Sequence, residues 1–152
     1  MNRKKIVLAT VLLFCTLPLA AQTEFINPEG LSTPPGYTHV VVTRPGKLIY
    51  ISGQVPLDRS GQLIGKGDLK AQAAQVFENL KTALAAAGAT FDDVVKINYY
   101  VRDFKPSDLP TLREIRNQYV NKKHPPASTL VGVTSLFRED CLIEVEAVAV
   151  RP

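Results

Sequence analysis

Apolar residues recur at helical spacing in two stretches of the chain. In residues 69–87 they fall at every third or fourth position, which is typical of a helix that buries one face. Asp68 precedes this stretch and can accept hydrogen bonds from the free amides of the first turn, and Gly88 follows it as a natural helix stop. A second helix is predicted to begin at a cap formed by Ser107 or Asp108. The apolar stripe of this second helix consists of Leu112, Ile115 and Tyr119.

Five other stretches are rich in β-branched and aromatic residues and predict strands. They are residues 37–43, 47–51, 94–101, 128–133 and 142–150. A short Arg-Pro-Gly turn separates the first two, which therefore predict a hairpin. The third stretch is apolar enough to be a central strand of a sheet.

The predicted order is β-β-α-β-α-β-β in one compact domain over residues 37–152, preceded by an extended segment at residues 22–36. Two helices on one face of one sheet form an α+β architecture. In the last strand Glu144 and Glu146 share a face with two valines, opposite a wholly apolar face. Neither face is typical of a surface in contact with water. We therefore expect an oligomer that buries the face not covered by the helices.

Residues 1–21 have the order of a secretory signal peptide. Basic residues at positions 3–5 precede an apolar run that ends at the small residues Ala20 and Ala21. The run is apolar on every side of a helix, which argues against an amphipathic first helix. We therefore expect an exported, periplasmic protein with a mature chain of 131 residues and no membrane association after cleavage.

Removing the predicted leader changes the charge of the chain. The full chain has 18 Lys and Arg residues against 14 Asp and Glu residues, a net charge of +4. Without residues 1–21 the basic count is 15 and the net charge is +1. A nucleic-acid partner is therefore not expected, because such binding needs a basic surface patch. Cys141 is then the only cysteine, and its apolar neighbours indicate a small buried side chain.

Few residue patterns suggest catalysis by themselves. A carboxylate between valines, such as Glu144 or Glu146, either has a raised pKa and acts as a general base on water, or forms a buried ion pair or hydrogen bond across a subunit contact. Strand patterning alone favours the second interpretation. His39 and His124 do not have metal-ligand spacing, and no serine lies in a Gly-x-Ser-x-Gly motif. Neither a metal site nor a serine nucleophile is predicted.

Four short stretches are together similar to motifs of the Rid family, the reactive-intermediate deaminases that are also called YjgF-like proteins. They are Pro35–Tyr37, Ile51–Pro56 with its Ser-Gly-Gln sequence, Pro126–Val133 and Ile143–Val150. The similarity extends over residues 35–151, nearly the whole predicted mature chain.

The resemblance implies a chorismate-mutase-like α+β fold, assembled as a homotrimer with clefts between subunits. It also implies hydrolysis of reactive enamines and imines, such as 2-iminobutanoate and 2-iminopropanoate, to keto acids and ammonia, with no cofactor and no metal. Glu144 matches a glutamate that positions the attacking water. The residues expected to bind the substrate are Tyr37, Ser52, Gly53, Ser128 and Thr129.

One position departs from the family motif. In members that hydrolyse 2-imino acids an arginine follows the Pro-Ala pair and binds the substrate carboxylate, whereas this chain has Ser128. A guanidinium makes two charge-assisted hydrogen bonds and serine makes one neutral bond, so we expect a loss of roughly ten- to a hundredfold in carboxylate affinity. Leu130 makes the pocket more apolar, and Arg102 and Arg138 are the candidates for a replacement cation.

Two functions are compatible with these observations. The first is a hydrolase for an enamine or imine that is not a standard 2-imino acid, and the retained Tyr37, Ser52 and Glu144 favour it. The second is a non-catalytic, trimeric protein that binds a small molecule in the same inter-subunit cleft. The missing arginine and the predicted export favour this second function, since imino acids arise mainly beside cytoplasmic pyridoxal enzymes. An RNA-cleaving activity fits poorly, because the mature chain lacks a basic patch and a histidine pair for acid–base cleavage.

Overall fold

The computed structural model describes residues 22–151, so the predicted signal peptide lies outside the described residues. Within that range six strands and two α-helices form. They are β1 (Glu24–Ile26), β2 (Val40–Val42), β3 (Lys47–Gln54), α1 (Leu69–Ala86), β4 (Val94–Arg102), α2 (Leu109–Arg116), β5 (Ala127–Val133) and β6 (Ile143–Arg151). No helix in the described range is long and apolar enough to cross a membrane.

A mixed four-stranded sheet with the strand order β3-β6-β4-β5 is the centre of the domain. Strand β6 pairs antiparallel with β3 and β4, and β4 pairs parallel with the edge strand β5. Helix α1 packs on β3 and β6 and also contacts α2. The structure thus confirms the predicted α+β architecture, with two helices packed on a mixed sheet and β4 in a central position.

The predicted hairpin between residues 37–43 and 47–51 is wrong. Strand β2 pairs with β1 in a separate two-stranded sheet, and β3 pairs with β6 instead. Pro45 lies in the connection between β2 and β3 and has no amide hydrogen to donate to a ladder beside a tight turn. Strand β6 offers β3 a long antiparallel partner from Lys47 to Gln54.

The caps of the two helices differ from each other. Asp68 caps α1 as predicted, because its Oδ1 accepts from the amides of Lys70 at 2.9 Å and Ala71 at 3.1 Å. Asp108 stands at the predicted N-cap position of α2, but its side chain makes no hydrogen bond to this helix. It accepts instead from the Lys105 amide at 2.8 Å and thereby caps the preceding single turn. Helix α2 therefore begins without a side-chain cap.

The two faces of the sheet differ in burial. Toward the helices, the alternate residues of β6 from 143 to 149 are fully buried, as the alternation predicted. Cys141 is also fully buried, which confirms its interpretation as a small core side chain. The opposite face, called here the open face, exposes 53% of Leu48, 75% of Tyr50 and 43% of Val131. The oligomer expected to cover this face stays a prediction.

Candidate functional site

The Ser-Gly-Gln motif of β3 forms a bulge directly beside Glu144. The register between β3 and β6 shifts between Ile51 and Gln54. A side chain at Gly53 would overlap the Glu144 carboxylate, so the backbone and the carboxylate approach closely only because position 53 is glycine. Two of the four family-like stretches, Ile51–Pro56 and Ile143–Val150, therefore meet at one place on the open face.

Glu144 and Glu146 lie on the same face but in different environments. The Asn98 amide donates to Glu146 Oε1 at 2.8 Å, and the Tyr100 hydroxyl donates to the same oxygen at 3.0 Å. Among the hydrogen bonds found within residues 22–151, none is accepted by the Glu144 carboxylate. Burial raises the pKa of Glu144, and the negative charge of Glu146 raises that pKa further.

The two carboxylates therefore fit the two interpretations to different degrees. Glu146 is a hydrogen-bonded acid, but its two donors belong to its own chain and not to a subunit contact. Glu144 is half-buried, has a raised pKa and keeps its oxygens free, which are the properties of a general base.

Two further predicted residues, Ser52 and Thr129, also belong to the open face. Ser52 borders a hollow of about 340 Å³ together with Lys96, Asn98 and Glu146. The Thr129 hydroxyl accepts a hydrogen bond from Lys96 Nζ at 2.6 Å. Burial lowers the pKa of this lysine. The four residues of this face, Ser52, Gly53, Thr129 and Glu144, are called the carboxylate half-site below.

Tyr37 and Ser128 lie on the other side of the sheet. Ser128 stands beside the buried Ile97 in the parallel β4–β5 register, so its side chain points toward the helices. Together with Tyr37 it borders a cavity of about 290 Å³ between α2 and the sheet. Tyr37 and Ser128 are called the cavity half-site below. The lining of the cavity is Pro35, Tyr37, Tyr99, Leu109, Leu112, Arg113, Arg116, Ser128 and Leu130.

The six predicted residues therefore form two groups that one chain does not bring together. Ser128 and Glu144 point to opposite faces, and β4 lies between the strands that carry them. Adjacent strands are about 4.8 Å apart, so two strand spacings separate these positions. A small molecule cannot contact both half-sites of one chain.

The structure also changes the assignment of the basic residues. Neither candidate cation lines the cavity with Ser128. Arg138 Nη2 instead pairs with Asp140 Oδ2 at 2.7 Å, and Arg102 Nε lies 3.6 Å from Asp103 Oδ2. Arg113 and Arg116 of α2 do line it, and sequence reasoning missed them. A signal was present, because they directly follow the buried Leu112 and Ile115 and therefore flank the apolar stripe of the helix.

Other parts of the structure contain fewer candidate functional groups than the two half-sites. Within residues 22–151, no group of three or more His, Cys, Asp and Glu side chains is arranged to hold a metal ion. His124 is exposed, and His39 Nε2 lies 2.8 Å from the Ser32 carbonyl oxygen. A larger and more open groove of about 590 Å³ between α1 and the residues around Phe91 contains none of the predicted site residues.

Comparison with known proteins agrees with this fold. The family model described as Endoribonuclease L-PSP matches residues 30–151. A RutC family protein from Pyrococcus horikoshii is 37% identical over 128 residues, which cover 83% of this chain and 96% of the relative. The 3-aminoacrylate deaminase RutC from Acinetobacter baylyi is 34% identical over 126 residues, again with 83% and 96% coverage.

A solved structure leads to the same conclusion. The crystal structure of a Rid family protein of unknown function from Yersinia pestis matches with a TM-score of 0.77 and 35% sequence identity. The match covers 86% of this chain and 100% of that one. The resemblance derived from the four motifs is thereby confirmed, and the chain belongs to the endoribonuclease L-PSP family, the group that includes the Rid (YjgF-like) and RutC proteins.

Proposed function

We propose that this protein hydrolyses a reactive enamine or imine, other than a standard 2-imino acid, to a carbonyl compound and ammonia. The proposal rests mainly on the environment of the Glu144 carboxylate. Its carboxylate is half-buried beside Gly53 and has a raised pKa, while the neighbouring Glu146 is held by two hydrogen bonds. A general base works best when its pKa is near the working pH. The family relationship supports the reaction type, since the Acinetobacter baylyi relative is named a deaminase.

The reaction needs only water and a base. Glu144 accepts a proton as the oxygen of a water molecule attacks the imine carbon. Glu144 then gives this proton to nitrogen, which completes a carbinolamine. In the second step Glu144 takes the proton of the new hydroxyl group and gives it to nitrogen, the carbon–nitrogen bond breaks, and ammonia leaves as the carbonyl forms. An enamine first takes a proton on carbon and loses one from nitrogen to become the imine. Nearby hydroxyls, such as that of Ser52, would donate to the negative charge that develops on nitrogen during the attack.

The proposed site lies between subunits of a homotrimer. The opposite orientations of Ser128 and Glu144 support this arrangement, because a substrate can reach both only if two copies each contribute one half-site. The exposed Leu48, Tyr50 and Val131 support a contact at the open face. In the proposed cleft, the cavity half-site of one subunit faces the carboxylate half-site of the next.

The loss of the family arginine determines the proposed substrate class. Ser128 can donate one neutral hydrogen bond, whereas a carboxylate next to the reacting carbon would need a cation at this position. Leu130 and two further leucines make the part of the cavity wall that they form apolar. The proposed substrate is therefore an imine or enamine without a carboxylate on the reacting carbon.

The test measures ammonia release, above the uncatalysed rate, from imines generated in situ. An amine oxidase supplies imines without a carboxylate on the reacting carbon, and an amino-acid oxidase supplies 2-imino acids. We expect the wild type to accelerate hydrolysis of the first class, and Glu144→Gln to lose about a hundredfold or more in rate. Ser128→Arg should shift the preference toward 2-imino acids. Glu139→Gln removes an exposed carboxylate and serves as the control.

A rate that survives Glu144→Gln would refute the proposed mechanism. If the wild type accelerates neither class, the second function becomes the better explanation, namely a trimeric protein that binds a small molecule in the same cleft. This alternative is favoured by Ser128, which stands where the family's catalytic members have the substrate-binding arginine. It predicts a ligand that raises the melting temperature without being hydrolysed.

A further inference from the structure

Two arginines of α2 give the cavity beside Ser128 a strongly positive wall. Arg113 and Arg116 both line it, and no acidic residue of the described range does so. The remaining wall is mostly apolar, with leucines from α2 and β5 and a proline. The cavity thus combines an apolar interior with a cationic end, which is the arrangement expected for a small amphipathic anion.

Arg116 is held in the wall of the cavity, away from any counter-charge. Its guanidinium lies against the backbone of Gly36, where a Cβ would be 2.7 Å from Nη2. Its Nε and Nη2 donate to the neutral amide oxygen of Asn117 at 3.2 and 2.8 Å. The ion pairs found within residues 22–151 include neither Arg113 nor Arg116. Burial lowers the pKa of Arg116, which reflects the cost of holding an unpaired charge partly out of water.

Tyr99 provides a second and independent indication of a ligand. Its side chain lines the same cavity and is only 4% exposed. Its hydroxyl has no hydrogen-bond partner among the described residues. An unpaired buried hydroxyl is unfavourable and rare in native proteins, so a ligand atom that pairs with it would stabilise the site.

We infer that Arg113 and Arg116 bind the carboxylate of a small molecule whose remaining part is apolar, with the Tyr99 hydroxyl as a further donor. The inference rests on the proposed function, since it assigns this anion to the enamine or imine substrate. The carboxylate is then held from the α2 wall of the cavity, and Ser128 on the opposite wall is left beside the uncharged part of the substrate. A cavity of about 290 Å³ is at the lower limit of ordinary small-molecule sites, which span roughly 300–1,000 Å³.

The test compares two probes of nearly equal shape, cyclohexanecarboxylate and its neutral amide, by calorimetric or NMR titration. We expect the wild type to bind the carboxylate at least about tenfold more tightly than the amide. Arg116→Gln should abolish this preference, and Arg113→Gln should reduce it. Arg59→Gln changes an exposed arginine of a distant turn and should leave the preference unchanged.

Equal affinity of the wild type for the two probes would overturn the inference, and so would an unchanged preference in folded Arg116→Gln. If Arg116→Gln does not fold, the preference of Arg113→Gln decides in the same way. Ammonia release by the same proteins separates the two proposals. Carboxylate preference without hydrolysis of any imine would refute the proposed function alone, whereas hydrolysis without carboxylate preference would refute this inference alone.

Discussion

At the scale of single residues, Gly53 determines how closely β3 approaches Glu144. A methyl group at this position would overlap the carboxylate and displace it. We therefore predict that Gly53→Ala lowers the rate of ammonia release by at least about tenfold, because a base displaced by an ångström loses its alignment with the attacking water. Gly30→Ala is the matched control, since a Cβ at Gly30 would meet no atom within 4 Å.

The steady-state rates of the two alanine variants give the result directly. Both should have melting temperatures that show a folded protein. If Gly53→Ala retains the wild-type rate, the close approach of β3 at Gly53 does not position Glu144 for catalysis.

The raised pKa of Glu144 predicts a particular dependence of stability on pH. Below its ordinary pKa of 4.5 the group is protonated in both the folded and the unfolded chain. As the pH rises through the raised folded pKa, the unfolded chain loses the proton more easily, so this group lowers the free energy of unfolding. Glu144→Gln removes the effect and should be more stable than the wild type at neutral pH, with the difference vanishing in acid.

Urea denaturation of both proteins between pH 4 and pH 8, at one protein concentration, measures this difference. The exposed Glu139→Gln, measured in the same way, is the control. A stability difference that is constant or shrinks with rising pH would mean that the folded protein does not disfavour the charged form of Glu144.

Individual residues also show where sequence reasoning ends. The alternation of β6 correctly placed Glu144 and Glu146 on one face. It could not show which of them is free, because the donors Asn98 and Tyr100 come from β4 and meet Glu146 only through the strand register. The sequence also could not show that Arg102 and Arg138 lie outside the cavity. The residues that form its wall are determined by the packing of α2 on the sheet.

At the scale of secondary-structure elements, α1 depends on a cap that the sequence predicts. Asp68 accepts from two amides of the first turn, so Asp68→Ala should cost about 1 kcal/mol of stability. Asp68→Asn keeps an oxygen acceptor and should cost much less. The free energies of unfolding of the two variants, measured in urea, check this, and equal costs would show that the cap is not formed in solution.

Periodicity predicted the long elements better than the short ones. Helix α1 and strands β4 and β6 have sustained patterns that agree with the sheet and helix they form. Strand β2 is too short to show a sustained pattern. Its partner β1 comes from a proline-rich segment that predicted only an extended chain. Pairing between distant short strands is decided by the whole fold, so a local hairpin was the wrong expectation.

At the scale of the whole molecule, the proposed site needs more than one chain. The carboxylate half-site and the cavity half-site lie on opposite faces of the sheet. The sequence predicted burial of both sheet faces, and the exposed Tyr50 and its neighbours indicate where a second copy would pack. The proposed homotrimer explains how residues that are separate in one chain act on one substrate.

Complementation between two inactive variants tests most directly whether the site is shared between subunits. Glu144→Gln removes the base from one half-site, and Ser128→Phe fills the cavity of the other. Each variant alone should release ammonia at about the uncatalysed rate.

Subunits of the two variants, mixed in equal amounts and reassembled, should form some clefts with both half-sites intact. If each cleft takes its halves from two subunits, roughly a quarter of the clefts are complete and about a quarter of the wild-type rate returns. A mixture as inactive as the separate variants, beside an active wild type carried through the same procedure, would contradict a site shared between subunits.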